Sequence, residues 1–180
     1  MLILASASPR RHELLTAAGI PHAVRAVSVP EERIPGEDPL ALVQRLAEEK
    51  ATAAHQQGEI VLGADTEVSI DNEVFGKPSD RQDAARMLRL LSGKDHWVHT
   101  GICILTGSRK IVDVASTRVW FADLTEPEIT EYTRSGEPLG KAGGYAIQGL
   151  ASKFVRSIEG CYHNVVGLPV SLVYHHLKSL

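Results

Sequence analysis

Three segments of this chain carry residues of the types that grip phosphate or move protons. The first is Ser6-Ala7-Ser8-Pro9-Arg10-Arg11. An apolar strand leads into it and a helix opens at Ser8-Pro9, because serine caps well and proline at the first helical position gives up a donor that is unpaired anyway. The amides of a helix N-terminus carry partial positive charge, which suits an anion. Two hydroxyls and two forked guanidinium groups add donors. The same residues also describe an ordinary capped helix with two solvated arginines. The second segment centres on Asp65, which closes the apolar run Ile60 to Ala64. A carboxylate ending a buried strand is costly unless it is paired, metal-bound or chemically used. Gly63, two residues earlier, leaves room where a ligand can approach. An aspartate capping a turn, or held by an internal arginine, fits the same pattern. The third is Gly76-Lys77-Pro78, a lysine fixed between glycine and proline and placed for a phosphate or carboxylate. Beside these stand Lys50, in Glu48-Glu49-Lys50, which reads as a charged outer helix face, and the acidic pair Glu31-Glu32, either of which is a ligand or turn polarity.

The elements that must position these residues follow from periodicity. Leu2 to Ala5 is a short buried strand. The helix opening at Ser8-Pro9 turns Leu14, Leu15 and Ala18 inward and stops at Gly19. A second helix starts at Asp38-Pro39, with Leu40, Val43, Leu46, Ala47, Ala51 and Ala54 at helical spacing. Ile60 to Ile70 is a strand whose first half is apolar throughout, as burial on both faces requires, and Asp71-Asn72 makes a tight turn. A third helix follows Ser79-Asp80, with Ala84, Met87, Leu88 and Leu91 inward. His96 to Phe121 is β-rich and breaks near Thr106-Gly107-Ser108, as in a long hairpin. Thr125 to Glu128 forms a capping box for a helix reaching about Arg134. A Gly-rich loop from Gly136 to Gly149, a strand near Phe154 to Ile158 and a helix after Gly167-Leu168-Pro169 complete the chain. Strands and helices mix without regular alternation, so the fold class is α/β with a mixed, curved sheet flanked by helices.

Composition narrows the function. With 180 residues, 43% hydrophobic and 23% charged, the chain fits one domain, residues 1–180, by a length prior of roughly 100–200 residues. Such a chain buries around 70% of its unfolded surface and needs no disulfide; Cys103 and Cys161 stand far apart in no ligand spacing. Net charge is −3, from 19 basic and 22 acidic residues, without the basic excess of a duplex nucleic-acid binder. An anionic ligand therefore needs a local cationic cluster. The start, MLILASASPRR, reverses the order of a secretory signal, and no apolar run approaches the roughly 18 residues of a membrane span. The expectation is a cytoplasmic protein without membrane or nucleic-acid partners. His96 and His99, three apart on a strand, point to opposite faces and do not share a metal. Neither Gly93-Lys94 nor Gly140-Lys141 completes a Walker phosphate loop, Gly143-Gly144 opens no dinucleotide fingerprint, and no serine has the G-x-S-x-G elbow. His175-His176 reads as a solvated helix end.

These segments, in order, resemble the Maf family of nucleotide pyrophosphatases. The resemblance runs through LILASASPRRHELL, Glu31-Glu32, RLAEEKA, LGADTEV, GKPSDRQDAARMLRLLSGKDHWVHTG, EPLGKAGGYAIQG and IEGCYHNVVGLP, covering essentially the whole chain. It implies hydrolysis between the α and β phosphates of a nucleoside triphosphate, with a divalent metal, Mg2+ or Mn2+. It also implies a fold similar to inosine-triphosphate pyrophosphatases, with a long mixed sheet and two lobes around a cleft, a homodimer, and an association with arrest of septum formation. By the same resemblance Ser8, Arg11, Lys50 and Lys77 grip the phosphates, Glu32 helps hold the metal, and Asp65 orients and deprotonates water, with its own contact to the metal left open. A triphosphate brings about four negative charges that metal and cations must offset before a nucleophile approaches.

Three positions select a branch of the family. Arg10, Thr66 and Gln148 stand where the branch acting on 7-methyl-GTP carries tryptophan, glutamine and glutamate. The expectation is therefore a preference for dTTP and UTP, with modified uridine triphosphates included. The competing readings are a purine or 7-methyl-GTP pyrophosphatase of the same fold, and a non-catalytic regulator of division. Glu67 departs from the family pattern, which is apolar there; it reads as a solvated strand-end residue or as support for the metal shell. Gly140 and Cys161 also stand where other residues are frequent.

Overall fold

The computed structural model describes residues 1–71 and 73–180. Asn72, half of the expected turn, lies outside the described residues; Asp71 before it has φ 51°, the left-handed conformation that aspartate tolerates better than most residues.

The strands are β1 (Leu2–Ala5), β2 (His22–Val24), β3 (Ile60–Ile70), β4 (Glu73–Phe75), β5 (Asp95–Leu105), β6 (Lys110–Phe121) and β7 (Val155–Glu159). The helices are α1 (Pro9–Ala17), α2 (Pro39–Ala54), α3 (Arg81–Leu91), α4 (Glu126–Arg134), α5 (Tyr162–Val166) and α6 (Val170–Leu177), with 3-10 turns at Ala142–Gly144 and Leu150–Phe154. The strands form a seven-stranded sheet in the order β2-β1-β3-β5-β6-β7, with β4 paired to β3. It is mixed: β1 runs parallel to β2 and β3, whereas β4 and β7 run antiparallel to their neighbours. The α/β mixed-sheet expectation holds, while β2, β4 and α5, too short for periodicity to announce, are additions.

The chain divides into two compact units, residues 1–66, 99–115 and 167–180 in one and 67–98 and 116–166 in the other. In the first, both faces of the sheet are covered. Ile3, Ala5, Val61 and Cys103 pack on Ala47, Ala51 and Ala54 of α2. Leu2, Leu4, Leu62, Ala64, Ile102 and Ile104 pack on Leu15 of α1 and on Leu168 and Val173 at α6. Burial on both sides accounts for the unbroken apolar runs. On α1 the inward residues are Arg11 and Leu15, one turn apart; Ala18, expected inward, is exposed past the helix end. On α2 the inward stripe is Leu42, Val43, Leu46, Ala47, Lys50, Ala51 and Ala54, and Leu40 lies outside it at 36% exposure.

In the second unit, Ala84, Met87, Leu88 and Leu91 of α3 are buried as expected. The Asp80 carboxylate caps that helix by accepting from Asp83 N at 2.8 Å, and the capping box at Thr125 and Glu128 starts α4. An aromatic cluster of His96, Phe121, Tyr145 and Phe154 fills the interior. His96, 1% exposed, is a core residue whose Nε2 lies 2.8 Å from the Tyr145 hydroxyl. Burial depresses its pKa to about 3, so it packs neutral. Among the described residues, no helix is long and apolar enough to cross a membrane. His176 is not merely solvated: its Nε2 meets Asp113 Oδ2 at 2.7 Å.

Candidate active site

The parallel pairing of β1 with β3, Ala5 opposite Gly63, brings the residues that follow β1 beside the stretch of β3 just past that pairing, at one end of the first unit. That is where open parallel sheets present loops and helix N-termini to ligands. Beyond β1 come Ser6 to Ser8 and the first turn of α1; on β3 come Asp65 and Thr66. Because side chains alternate along a strand, Gly63 and Asp65 face α2, while Ala64 and Thr66 face α1.

On the α2 side two glycines set the geometry. A Cβ on Gly63 would run into the Ala47 carbonyl and stand 2.7 Å from Ala51 N. One on Gly101 of β5 would run into the Val43 carbonyl and stand 2.7 Å from Gln44 N. The space left by Gly63 is therefore filled by helix backbone, not kept for a ligand. This close approach brings Lys50, which lies between Ala47 and Ala51, to the middle of β3. Its Nζ donates to Asp65 Oδ1 at 2.5 Å and to Glu31 Oε1 at 2.7 Å. The Lys50 and Asp65 side chains are each only 8% exposed. Lys50 thus belongs to the inner face of α2, contrary to the charged outer face suggested by Glu48-Glu49-Lys50. Asp65 Oδ2 is buried with no hydrogen-bond partner. A buried carboxylate oxygen left so carries a desolvation cost that a structural aspartate would normally avoid.

On the α1 side Arg11 is a strut. Its Nε donates to Gly167 O at 2.8 Å, Nη1 to Ala64 O at 2.8 Å and Ser6 Oγ at 3.1 Å, and Nη2 to Thr66 Oγ1 at 3.0 Å. Thr66 Oγ1 also lies 2.9 Å from Thr100 Oγ1 and 3.3 Å from Gly167 O. Arg11 therefore ties the end of β1 to the middle of β3. Ser8 holds the N-cap backbone geometry but makes no side-chain cap bond; its amide donates to Ser6 Oγ at 3.2 Å. Arg10 is half-buried, and desolvation lowers its pKa against the opposing pull of Glu13.

Of the acidic pair, it is Glu31 that reaches Lys50. Glu32 is exposed, and its carbonyl accepts from Arg45 Nη2 at 3.1 Å. Arg45 also binds Glu37 at 2.7 Å and depresses that carboxyl to about 2, anchoring the loop that carries the pair. Among the described residues no group of three or more His, Cys, Asp or Glu side chains is arranged around a metal position. The carboxylates that could hold a divalent ion are those of Asp65 and of Glu31 and Glu32 on this loop; an ion such as Mg2+ takes one or two carboxylates and keeps several waters.

Lys77 and Gln148 belong to the second unit. Lys77 is exposed between half-buried Gly76 and buried Pro78, and the Gly76 carbonyl accepts from Gly143 N at 3.1 Å. Glu67 is not a solvated strand end: a Cβ on Gly76 would lie 3.5 Å from its buried Oε2, so the carboxylate packs over the turn that presents Lys77. Gln148 is exposed. Sequence reasoning missed Glu31 as the partner of Lys50 and missed the Thr100 and Gly167 contacts; a glycine inside strand β5, Gly101, was the available sign of close helix approach.

Residues 1–180 match the family model described as Maf-like protein. The dTTP/UTP pyrophosphatase of Koribacter versatilis (strain Ellin345) is 49% identical over 179 residues, covering 98% of this chain and 93% of that protein. The dTTP/UTP pyrophosphatase of Geobacter sp. (strain M21) is 51% identical over 183 residues, covering 99% and 95%. Among solved structures, the Staphylococcus aureus Ham1 protein aligns with a TM-score of 0.51 at 13% identity, over 99% of this chain and 98% of that one, a likeness of fold alone.

Proposed function

Because this chain belongs to the Maf family, we propose that it is a nucleotide pyrophosphatase that hydrolyses dTTP and UTP to the monophosphate and pyrophosphate. The observation that carries the proposal is Asp65, buried, with Oδ1 on Lys50 and Oδ2 without a partner. In the reaction, Asp65 Oδ2 takes a proton from water as the water oxygen bonds to phosphorus, and the P–O bond to the bridging oxygen between the α and β phosphates breaks. A base held within hydrogen-bond reach of its water contributes about 10²–10⁴-fold. Lys50 fixes the carboxylate and balances its charge. Ser8 and the α1 N-terminus, with Lys77, grip the phosphates, and Arg11 holds the stretch of β3 that carries Asp65 and Thr66. A divalent cation, Mg2+ or Mn2+, held by Asp65 and Glu32 with Glu31 beside them, would supply the charge neutralisation that a triphosphate needs.

Arg10, Thr66 and Gln148 select the base. A glutamine amide offers both a donor and an acceptor, matching the alternating carbonyl and N–H edge of uracil and thymine. The thymine methyl adds only ~1–3 kcal/mol of discrimination, so dTTP and UTP are turned over comparably. Modified uridine triphosphates with that edge intact are also accepted, which would keep them out of nucleic acid. The protein acts on free nucleotides, as a homodimer in the cytoplasm; its net charge of −3 supports free nucleotides over a duplex.

The test is pyrophosphate release from a panel of dTTP, UTP, CTP, GTP and 7-methyl-GTP with Mg2+ or Mn2+, with Asp65→Asn in parallel. Turnover of dTTP and UTP that Asp65→Asn abolishes is expected. Equal turnover of 7-methyl-GTP and UTP overturns the base assignment, and a well-folded Asp65→Asn protein of normal activity removes Asp65 from the base role.

A further inference from the structure

Gln148 stands at the tip of a turn whose flanks are fastened to a single carboxylate. Gly149 N donates to Ala146 O at 3.0 Å, closing a four-residue turn with Gln148 at its third position. Tyr145, Ala146 and Ile147 before it are buried, while Gln148 is exposed. On the far flank, Leu150 N donates to Glu137 Oε2 at 3.0 Å and Ala151 N to Glu137 Oε1 at 3.4 Å. On the near flank, Ala146 N donates to the Tyr132 hydroxyl at 3.2 Å, and that hydroxyl donates to Glu137 Oε1 at 2.9 Å. Glu137 thus holds both ends of the segment around Gln148, one directly and one through Tyr132. Its place is cut to fit: a Cβ on Gly149 would lie 2.6 Å from the Glu137 carboxyl carbon, although the Gly149 backbone, at φ −107°, lies outside the left-handed region. Glycine is needed there for the carboxylate, not for the chain. Burial raises the Tyr132 pKa, and its hydrogen bond to Glu137 raises it further, so the phenol keeps the proton it donates.

We infer that Glu137, acting with Tyr132 and given room by Gly149, is the positioning residue that presents Gln148 to the pyrimidine base. The inference rests on the base-reading role proposed above for Gln148. Glu137 touches no substrate; it fixes where the Gln148 amide stands. A carboxylate suits the position because it accepts from three donors, Tyr132 Oη and the two amides, and has no donor of its own to set against an N–H. Glutamine of the same size turns one accepting atom into a donor, which faces either Leu150 N or the Tyr132 hydroxyl.

The experiment compares wild type, Glu137→Gln, Gly149→Ala and Gln148→Ala in two readouts. Amide hydrogen exchange reads the clamp without reference to activity: Glu137→Gln and Gly149→Ala should speed exchange at Ala146, Leu150 and Ala151 while amides of β1 and α2 keep wild-type protection. Steady-state kinetics and product binding read the consequence. KM for UTP and dTTP should rise about tenfold, the effect of one lost charge-assisted hydrogen bond, with kcat within about twofold. UMP should bind correspondingly more weakly while pyrophosphate binds as to wild type. A purely structural role would instead lower protection everywhere and weaken both products alike, and that result overturns the inference. Should Glu137→Gln fail to fold, Gly149→Ala answers the question, since it evicts the carboxylate and leaves Glu137 and Tyr132 in place. If Gln148→Ala weakens UMP binding and the two clamp variants do not, the clamp is wrong and the base-reading role stands. If Gln148→Ala leaves UMP binding and UTP turnover at wild-type values, the base-reading role fails and the inference falls with it, whatever the exchange data show.

Discussion

Removing the Lys50 ammonium separates the structural and chemical uses of the buried pair. Lys50→Met keeps an aliphatic stem in the inward stripe of α2 and deletes the charge. Both side chains are only 8% exposed, and Asp65 Oδ2 already has no partner, so in this variant neither oxygen of a buried carboxylate is hydrogen-bonded. Breaking a buried pair from one side costs roughly 3–5 kcal/mol. The reciprocal change is milder. In Asp65→Asn the ammonium keeps Glu31 at 2.7 Å, itself 41% exposed, and the new amide oxygen still accepts from Lys50, so the loss should be about 1–2 kcal/mol. The double variant Lys50→Met/Asp65→Asn leaves no buried charge and should be more stable than Lys50→Met alone by about 1–3 kcal/mol, a coupling expected of residues in contact. Urea unfolding followed by circular dichroism in chelator-treated buffer measures all four proteins, with the midpoint shifting at constant m-value. Should Lys50→Met fall within about 1 kcal/mol of wild type, or the double variant be the least stable of the four, the pair would not be the desolvated unit argued here.

Four further outcomes follow from particular residues. Gly63→Ala drives a methyl into the Ala47 carbonyl and to 2.7 Å from Ala51 N, so it should cost about 1–3 kcal/mol as overpacking and, by lifting α2 with Lys50 off β3, lower pyrophosphate release as well; wild-type stability and activity together would refute the close-approach argument. Arg11→Lys cannot reproduce four bonds to Ser6, Ala64, Thr66 and Gly167 and should cost roughly 2 kcal/mol in urea unfolding, whereas exposed Lys77 changed to alanine should lower turnover with at most ~1 kcal/mol of stability. His96, held at about 3 by burial, binds no proton in the folded state between that value and its unfolded pKa of about 6.5. Its contribution is therefore complete above pH ~6.5 and is lost as pH falls, by about 2 kcal/mol at pH 5; buried His99, also lowered, adds in the same direction, and unfolding free energies from urea titrations at pH 7 and pH 5 that differ by less than this would refute it.

Where apolar periodicity was unbroken, the chain was legible: β1, β3 and α3 follow from runs and stripes that burial on one or two faces requires, and the box at Thr125 and Glu128 starts α4 as its residues dictate. The charged residues were harder because burial, not identity, gives them their role. Glu48-Glu49-Lys50 looks like a solvated face, yet Lys50 falls in phase with Val43, Leu46, Ala47, Ala51 and Ala54, and Arg11 stands one turn before Leu15. The phase was visible in the sequence, and the partners were not, because Asp65 and Gly167 are distant in the chain. Gly63 was open to a similar misreading: its missing side chain announces a close approach, and only the fold says that helix backbone, not a ligand, makes it. Glu67 looked solvated because the turn that covers it, at Gly76, follows later in the sequence. The two cations share one physical cause. A cation in the apolar phase of a helix is tolerated only if the strand it faces supplies an anion or a row of carbonyls, so such a cation predicts a buried acceptor across the interface. Lys50 predicts a carboxylate, which Asp65 provides, and Arg11 predicts oxygens on the facing strand, which Ala64 and Thr66 provide. That inference needs only the helical phase and the apolar run before Asp65, and it would have drawn both halves of the site together from sequence.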